Sequence, residues 1–171
     1  MKEKLKKVII TGGPGSGKTT TISLLRKMGY QVLPEAARTV ISATNMLPGK
    51  NRQNLLRQFQ VDMEKLISRN LGLVVLDQSL IDIDVYDQYN GHEMQLLLPE
   101  HIASYHPLVF VLDDLSKEAY PKGKEETFEE SQNLALCIRE AYAKYGFNII
   151  EIRKGSPEKR AKEILSHIYE K

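Results

Sequence analysis

The chain has little of several features, and each scarcity excludes a class of protein. With Cys137 as its single cysteine, it cannot form a disulfide within the chain. No apolar run approaches the roughly 20 residues of a membrane-spanning helix. Lysine and arginine number 24 against 22 aspartates and glutamates, a near-balance that does not indicate a nucleic-acid-binding surface. The 4 histidines lack the spacing of a metal site. These observations favour a cytoplasmic protein whose partners include neither a membrane nor nucleic acid.

The length predicts a single domain over residues 1–171. A chain of this size can bury a substantial core by itself, and no internal repeat or low-complexity tract divides it. The N-terminal segment 2–7 is basic, as at the start of a signal peptide. The apolar run behind it is too short for a signal sequence and leads directly into a glycine-rich segment, so it predicts a strand.

Short apolar runs alternate with longer helical patterns, which is typical of an α/β domain. The runs lack strict alternation of polar and apolar residues, as expected for strands that are covered on both faces. The predicted strands are residues 8–11, 30–33, 73–76, 108–112 and 147–152. The predicted helices are residues 17–28, 36–43, 52–69, 80–89, 94–105, 131–145 and 157–169.

Residues 12–19, Gly-Gly-Pro-Gly-Ser-Gly-Lys-Thr, form a complete phosphate-binding motif between the first strand and the first helix. In such a loop the backbone N–H groups turn inward around a phosphate, and the positive end of the helix points at the same place. Lys18 can reach the β- and γ-phosphates, and Thr19 can offer its hydroxyl to Mg²⁺. We therefore predict a nucleoside-triphosphate site. Its residues are Gly13, Pro14, Gly15, Ser16, Gly17, Lys18, Thr19 and Thr20.

Asp77 follows the third predicted strand, so we expect it at the carboxyl edge of the sheet, where open parallel sheets bind their ligands. An acid there can hold Mg²⁺ through water, or accept a proton from an attacking hydroxyl. The alternative is a helix N-cap, because Asp77 and Ser79 both precede a helix. Asp113 follows the fourth strand in the same way, and for it capping and substrate contact are equally open. The predicted catalytic residues are Lys18 and Asp77, and the predicted metal ligands are Thr19 and Asp77.

Four further side chains are candidates for binding a phosphate acceptor. Glu35 and Arg38 lie about one helical turn apart and can face one site. A carboxylate with a guanidinium suits a polar substrate that carries hydroxyls and an anion, although a surface salt bridge is the alternative. Asp82 and Tyr86 are four residues apart and share a helix face. We predict that Glu35, Arg38, Asp82 and Tyr86 form the acceptor site.

The most irregular polar segment is residues 116–127, which follow the fourth strand. One interpretation is a solvated surface loop. The other is a mobile lid over the phosphates, which would exclude water and bring positive charge to the transferring group. Lys122 and Lys124 are the cations that such a lid would supply.

Taken together, these residues resemble the small P-loop kinase and ATPase family linked to NAD metabolism. That family includes the ribosylnicotinamide kinase domain of bacterial NAD-biosynthesis regulators. The resemblance covers most of the chain and implies a three-layer P-loop NTPase fold. It further implies a five-stranded parallel sheet in the order 2-3-1-4-5, with helices on both faces, and ATP as the triphosphate. The matching pieces are residues 9–19, Leu33-Pro34-Glu35-Ala36-Ala37-Arg38, Asp77 with Asp82 and Tyr86, Ala141-Tyr142, Tyr145-Gly146-Phe147, and Ser156-Pro157-Glu158-Lys159-Arg160-Ala161.

The chain lacks two arginines that the family usually has. The family usually has arginine after the strand acid, where this chain has Gln78, and another arginine in the lid, where it has only lysines. Lysine supplies charge without the planar fork of a guanidinium. Arg52 or Arg57 could bring a positive group from another segment.

Two functions follow from these residues. The first is an ATP- and Mg²⁺-dependent kinase that transfers the γ-phosphoryl to a hydroxyl of a small molecule, a nucleoside or nucleoside-like metabolite. The second is a nucleotide-binding switch or weak ATPase without a phosphate acceptor, which the missing arginines favour. The absence of an Asn-Lys-x-Asp segment argues against a guanine-specific switch.

Overall fold

The computed structural model describes residues 6–47, 49–67, 72–93, 97–124 and 126–169. One parallel sheet lies at the centre, and its strands follow the order β2-β3-β1-β4-β5. The order implied by the family resemblance is therefore confirmed. The strands are β1 (Lys6–Thr11), β2 (Gln31–Leu33), β3 (Leu73–Asp77), β4 (Tyr105–Leu112) and β5 (Asn148–Ile152).

Strand β1 pairs with β3 on one side and with β4 on the other. Ile10 lies opposite Asp77 of β3, and Thr11 lies opposite Val111 of β4. Because the strands are parallel, their carboxyl ends meet at one edge of the sheet. The glycine-rich segment, Asp77 and Asp113 therefore emerge at the same edge.

In the part of the chain that the structure describes, seven α-helices connect the strands and follow the last one. They are α1 (Lys18–Lys27), α2 (Ala36–Thr44), α3 (Lys50–Leu66), α4 (Leu80–Tyr89), α5 (Pro99–Ser104), α6 (Phe128–Lys144) and α7 (Pro157–Tyr169), with one 3₁₀ turn at Lys117–Ala119. Within the described ranges, no helix has the length and apolar character needed to cross a bilayer.

One predicted helix is wrong in part. The pattern over residues 94–105 predicted a single helix, but α5 begins only at Pro99, and Tyr105 already belongs to β4. Proline favours the first helical turn, and Tyr105 pairs with Lys7 of β1, so sheet pairing overrides the helical pattern at that end. Residues 94–96 lie outside the described residues, as do Pro48 and residues 68–70 near the predicted limits of α2 and α3.

Most of the buried apolar residues form two layers, one on each face of the sheet, and a smaller cluster joins α2 and α3. One layer packs α4 and α6 against the sheet through Ile9, Leu76, Leu80, Ile81, Val85, Leu134, Ile138 and Tyr142. The other packs α1 and α7 against the opposite face through Val8, Ile10, Ile22, Leu25, Val75, Phe110, Leu112, Ile152, Ala161 and Ile164. The fold is thus the predicted three-layer α/β arrangement. The loops at the carboxyl edge of the sheet are available to form a site.

Candidate nucleotide and acceptor site

The glycine-rich loop lies between β1 and α1 and packs closely against the end of β4. A Cβ at Gly12 would lie 2.7 Å from the carbonyl oxygen of Leu112, so this approach requires glycine. Gly17 is the N-cap of α1 and has φ of 86°, a conformation that other residues adopt only with strain. The chain therefore turns directly into the helix, whose N-terminus faces the loop as a phosphate site requires.

Lys18 is buried beneath this loop. Its ammonium donates to the carbonyl oxygens of Gly12 at 2.7 Å and Gly13 at 2.8 Å. Burial lowers the pKa of Lys18, whereas the nearby Glu35 and Asp77 carboxyls raise it. The two carbonyl oxygens carry only partial negative charge, so a bound phosphate would interact more strongly with the Lys18 ammonium.

Asp77 ends β3 and is 6% exposed, with Oδ1 buried and without a hydrogen-bond partner among the described residues. Burial, followed by repulsion from Glu35, raises the pKa of Asp77 to about 7, while Lys18 and Arg38 act in the opposite direction. A carboxyl that titrates near neutral pH is suited to accept a proton in catalysis. The N-cap alternative is wrong, because Ser79 caps α4 by accepting from the N–H of Ile81 at 3.1 Å.

Thr19 and Asp77 offer oxygen atoms that fit a magnesium ion. Thr19 is exposed on the first turn of α1, and its hydroxyl accepts a hydrogen bond of 2.8 Å from Arg38. Asp77 brings the unpartnered carboxylate oxygen. Mg²⁺ usually keeps few protein ligands beside phosphate oxygens and water, and a hydroxyl with a carboxylate matches its preference for oxygen.

The loop opens into a cavity of about 1100 Å³ that extends between α2, α3, α4 and the segment after β4. Glu35 and Arg38 line it, and their side chains form a salt bridge of 3.5 Å. Tyr86 also lines it, and burial raises the pKa of this phenol well above its usual value. Three of the four predicted acceptor residues therefore face one space that continues to the phosphate loop.

The segment 116–127, of which all but residue 125 are described, rests on the phosphate loop. A Cβ at Gly15 would lie 2.6 Å from the Tyr120 ring and 3.0 Å from Pro121. The Tyr120 hydroxyl donates to the Glu126 carbonyl oxygen at 3.1 Å. Lys124 lines the cavity, and its charge contributes to lowering the pKa of Lys18. The lid stays a prediction, but its contact with the loop gives it a physical basis.

A family model described as an AAA domain matches residues 7–160. The chain belongs to this family. The AAA-domain chain is 26% identical over 145 residues to a proposed adenylate kinase of Methanothermobacter thermautotrophicus, covering 85% of this chain and 78% of that protein.

Solved structures share the fold of this AAA-domain chain. A structure of NadR in complex with NR matches with a TM-score of 0.74 and 19% identity, over 95% of this chain but 51% of that chain. The chain thus spans about half the length of that protein. Thymidylate kinase from Candida albicans matches with a TM-score of 0.62 and 15% identity, over 96% and 91% of the two chains. The AAA-domain chain is a P-loop nucleoside/nucleotide kinase-like domain.

Asp82 of the AAA-domain chain does not occupy its predicted place. Its side chain is fully buried and accepts from the Thr11 hydroxyl, from the Ser79 N–H at 2.8 Å and from the Tyr142 hydroxyl at 2.6 Å. Burial raises the pKa of Asp82, and these hydrogen bonds oppose the rise. A direct contact with an acceptor is incompatible with this burial. Asp82 instead fixes Ser79 and Thr11, the residues beside Asp77 and the phosphate loop.

Two further candidates lie in ion pairs. The carboxylate of Asp113, for which capping and substrate contact were both open, lies 3.6 Å from the Arg139 guanidinium, beside β5. Arg57 is buried between α3 and α4, where it pairs with Asp84 and, at 3.2 Å, with Asp87. Arg57 therefore does not reach the phosphate loop, whereas Arg52 lines the cavity.

Residues from α6 and α7 hold the phosphate loop, and sequence reasoning did not assign them this role. The Ser131 hydroxyl donates to the Pro14 carbonyl oxygen at 2.6 Å. The buried Arg160 guanidinium donates to the Ser16 carbonyl oxygen at 2.6 Å and to the Asp113 carbonyl oxygen at 3.1 Å. The sequence offered one signal for Arg160. It is the single arginine of α7 and stands beside Ala161, which faces the core.

Proposed function

We propose that the chain is a kinase that transfers the γ-phosphoryl of MgATP to a hydroxyl of a nucleoside or nucleoside-like metabolite. The observation that carries this proposal is the cavity of about 1100 Å³, which continues from the phosphate loop to Glu35 and Tyr86. A nucleotide-binding site alone would need only the part at the loop. The extension provides room for a second small molecule beside the terminal phosphate.

The protein groups at this junction suit phosphoryl transfer. The acceptor oxygen would attack the γ-phosphorus while the bond to the bridging oxygen of ADP breaks, and Asp77 would receive the hydroxyl proton. Lys18 and Arg38 would place positive charge beside the phosphates. Mg²⁺, held by Thr19 and through water by Asp77, would neutralise charge on the β- and γ-phosphates.

Glu35 and Tyr86 are proposed to orient the acceptor. The Glu35 carboxylate can accept hydrogen bonds from sugar hydroxyls, and the Tyr86 phenol can both donate and accept. Arg38 connects this part to the phosphate loop, because it bonds to Thr19 and pairs with Glu35. A movement of the acceptor would therefore be transmitted through Arg38 to Thr19, the residue proposed to hold the metal.

A nucleotide-binding switch with weak ATP hydrolysis is the second candidate. It is favoured by Gln78, which lines the cavity where the related family has arginine, and by Arg57, which is committed to Asp84 and Asp87. Without these guanidinium groups, charge in the transition state would be neutralised less well.

The two candidates differ in how ATP consumption responds to an acceptor. ADP formation should be measured with a panel of nucleosides and ribosides, and mass spectrometry should identify any phosphorylated product. The kinase proposal expects at least one acceptor to accelerate ADP formation and to gain one phosphoryl group. Tight ATP binding with a turnover that no acceptor changes would support the switch. Gln78→Arg should then be measured, since a marked gain would identify a weakened kinase.

A further inference from the structure

Helix α3 presents a buried polar face to the core. Its inward side chains recur at helical spacing, and each is at most 9% exposed; they are Gln53, Arg57, Gln60 and Glu64. Helices commonly bury apolar residues on this face, and buried polar groups require hydrogen-bond partners. Arg57 finds its partners on α4. The hydrogen bonds that Gln53 and Gln60 make, or leave unmade, therefore indicate the function of this face.

Gln60 has a fixed orientation because of Glu64. The Glu64 carboxylate accepts from Lys7 at 3.0 Å, from the Tyr105 hydroxyl at 2.9 Å and from the Gln60 side-chain N–H at 2.8 Å. A carboxylate that already receives these donors cannot donate, so it selects the amide nitrogen of Gln60. The carbonyl oxygen of Gln60, a residue that lines the cavity, is consequently turned away from Glu64.

Gln53 lies two helical turns before Gln60, about 10 Å along the helix axis. It also lines the cavity, is 7% exposed, and its Oε1 is buried without a protein partner among the described residues. The apolar side chains of Leu56 and Ile83 line the same space. This combination of apolar walls with an unsatisfied acceptor atom is typical of a site that binds a flat ring with N–H groups at its edge.

We propose that this part of the cavity binds the ring of the acceptor, and that Gln53 accepts a hydrogen bond from an amino group on that ring, with Gln60 as a second acceptor. The inference rests on the proposed function, since it concerns the same acceptor. An amino or carboxamide N–H satisfies the Gln53 oxygen. A ring oxo group or a carboxylate would bring another acceptor to that oxygen, so it would bind only if the Gln53 amide rotated to present its nitrogen.

The test compares acceptors that differ only in this group. The pairs are cytidine with uridine, adenosine with inosine, and ribosylnicotinamide with its carboxylate counterpart. Both kcat/KM and the ligand-induced shift in melting temperature should be measured for each member. We expect the amino- or carboxamide-bearing member of at least one pair to be preferred about 10- to 100-fold. The first two pairs and the third distinguish an amino-nucleobase from a carboxamide ring.

Variants of α3 connect the preference to the amide. Gln53→Met keeps the length of the side chain but removes its oxygen, so it should abolish the preference by weakening the amino-bearing member only. The matched control is Gln58→Met on the same helix, because Gln58 is exposed and bonds to Asp62 at 2.9 Å. It should leave the preference unchanged.

The outcomes separate this inference from the proposed function. Phosphorylation without any amino preference, or an equal loss for both members in Gln53→Met, would overturn the inference and leave the kinase. Gln53-dependent binding of amino-bearing compounds without turnover would keep the inference and remove the kinase. If no compound shifts the melting temperature, the ring site does not exist.

Discussion

Asp77 is the residue whose protonation most directly connects stability with activity. Its pKa is about 7 in the folded chain, against a usual value of 3.8 that applies after unfolding. Between these two values the folded chain binds more protons than the unfolded chain, so raising the pH through this window lowers the free energy of unfolding. The ionised Asp77 is therefore a destabilising group at neutral pH in the absence of ligand.

We predict that Asp77→Asn stabilises the protein and inactivates it. The amide has the same shape without the charge, so the stability advantage of the variant should grow by about 2 kcal/mol between pH 5 and pH 8. Acceptor-dependent turnover should fall by at least ~10²-fold, because the proton acceptor is lost. Urea unfolding at both pH values and a steady-state assay measure the two effects.

Asp113→Asn is the control for this variant, because Asp113 also follows a strand at the same edge. Because its carboxylate pairs with Arg139, the substitution should change turnover little. Severe loss of turnover in Asp113→Asn beside a harmless Asp77→Asn would show that the reaction uses the other strand.

Lys18→Ala should remove turnover without unfolding the chain. The variant leaves the Gly12 and Gly13 carbonyl oxygens without this donor, so the melting temperature should fall, but the apolar layers are untouched and the chain should still unfold cooperatively. Loss of the charge at the γ-phosphate should lower kcat by ~10²-fold or more. Near-normal turnover in a folded variant would contradict the assignment of the loop.

At the scale of elements, the segment after β4 is the part of the site most exposed to change. Tyr120 connects it to the phosphate loop at Gly15 and lies edge-on to Phe128 at 5.7 Å between ring centroids. Pro121, the next residue, lines the cavity, so a nucleotide in the loop would lie beside this segment. The segment must then either move aside or close around the phosphates, and Lys124 is the cation already at the cavity.

We predict that Lys124→Gln and Lys122→Gln differ although both lysines are exposed on the same segment. Lys124 lines the cavity, so its loss should lower kcat by about 10- to 100-fold through weaker charge neutralisation. Lys122 is not among the lining residues, and its substitution should have almost no effect. The assay is acceptor-dependent ADP formation at saturating ATP.

Hydrogen exchange provides an independent measurement of the same segment. A non-hydrolysable ATP analogue with Mg²⁺ should slow exchange at residues 116–124 if closure occurs. Protection confined to the phosphate loop, even with an acceptor present, together with equal kinetics for the two lysine variants, would mean that this segment is a surface loop.

Helices and strands were largely predictable because their signals are local. The periodicity of α3 and the Ser-Pro start of α7 identified those elements within the chain itself. The predicted helix over 94–105 failed at Tyr105 because its partner, Lys7, is distant in sequence. Asp82 was misassigned for the same reason, since Thr11 and Tyr142 lie 71 and 60 residues from it.

At the scale of the whole molecule, the phosphate loop depends on the last helix. Arg160 of α7 and Ser16 of the loop are separated by 144 residues, yet they are joined by a hydrogen bond of 2.6 Å. The motif predicted the loop, but no local pattern revealed what supports it. The complete site is therefore a property of the assembled fold, with contributions from α1, α2, α3, α4, α6 and α7.

Arg160→Met should weaken nucleotide binding more than a change of exposed charge would. The variant leaves buried carbonyl oxygens of Ser16 and Asp113 without donors, so the loop should lose its fixed shape. We expect the Kd for an ATP analogue to rise about tenfold, measured by calorimetry well below the melting temperature. Arg153→Met, at an exposed arginine of the same region, is the control. Lower stability with unchanged affinity would limit Arg160 to a structural role.

The 144-residue separation between Ser16 and Arg160 also has a consequence for protein synthesis. A ribosome that adds about 5 to 20 residues per second makes the phosphate loop roughly 7 to 30 s before the arginine that supports it. Strand β1 is likewise made before β3 and β4, its neighbours in the sheet. A nascent chain thus carries the nucleotide motif early but cannot hold nucleotide firmly until α7 has been made. Ribosome-bound chains arrested before α7 should release ATP readily, and chains that include α7 should retain it.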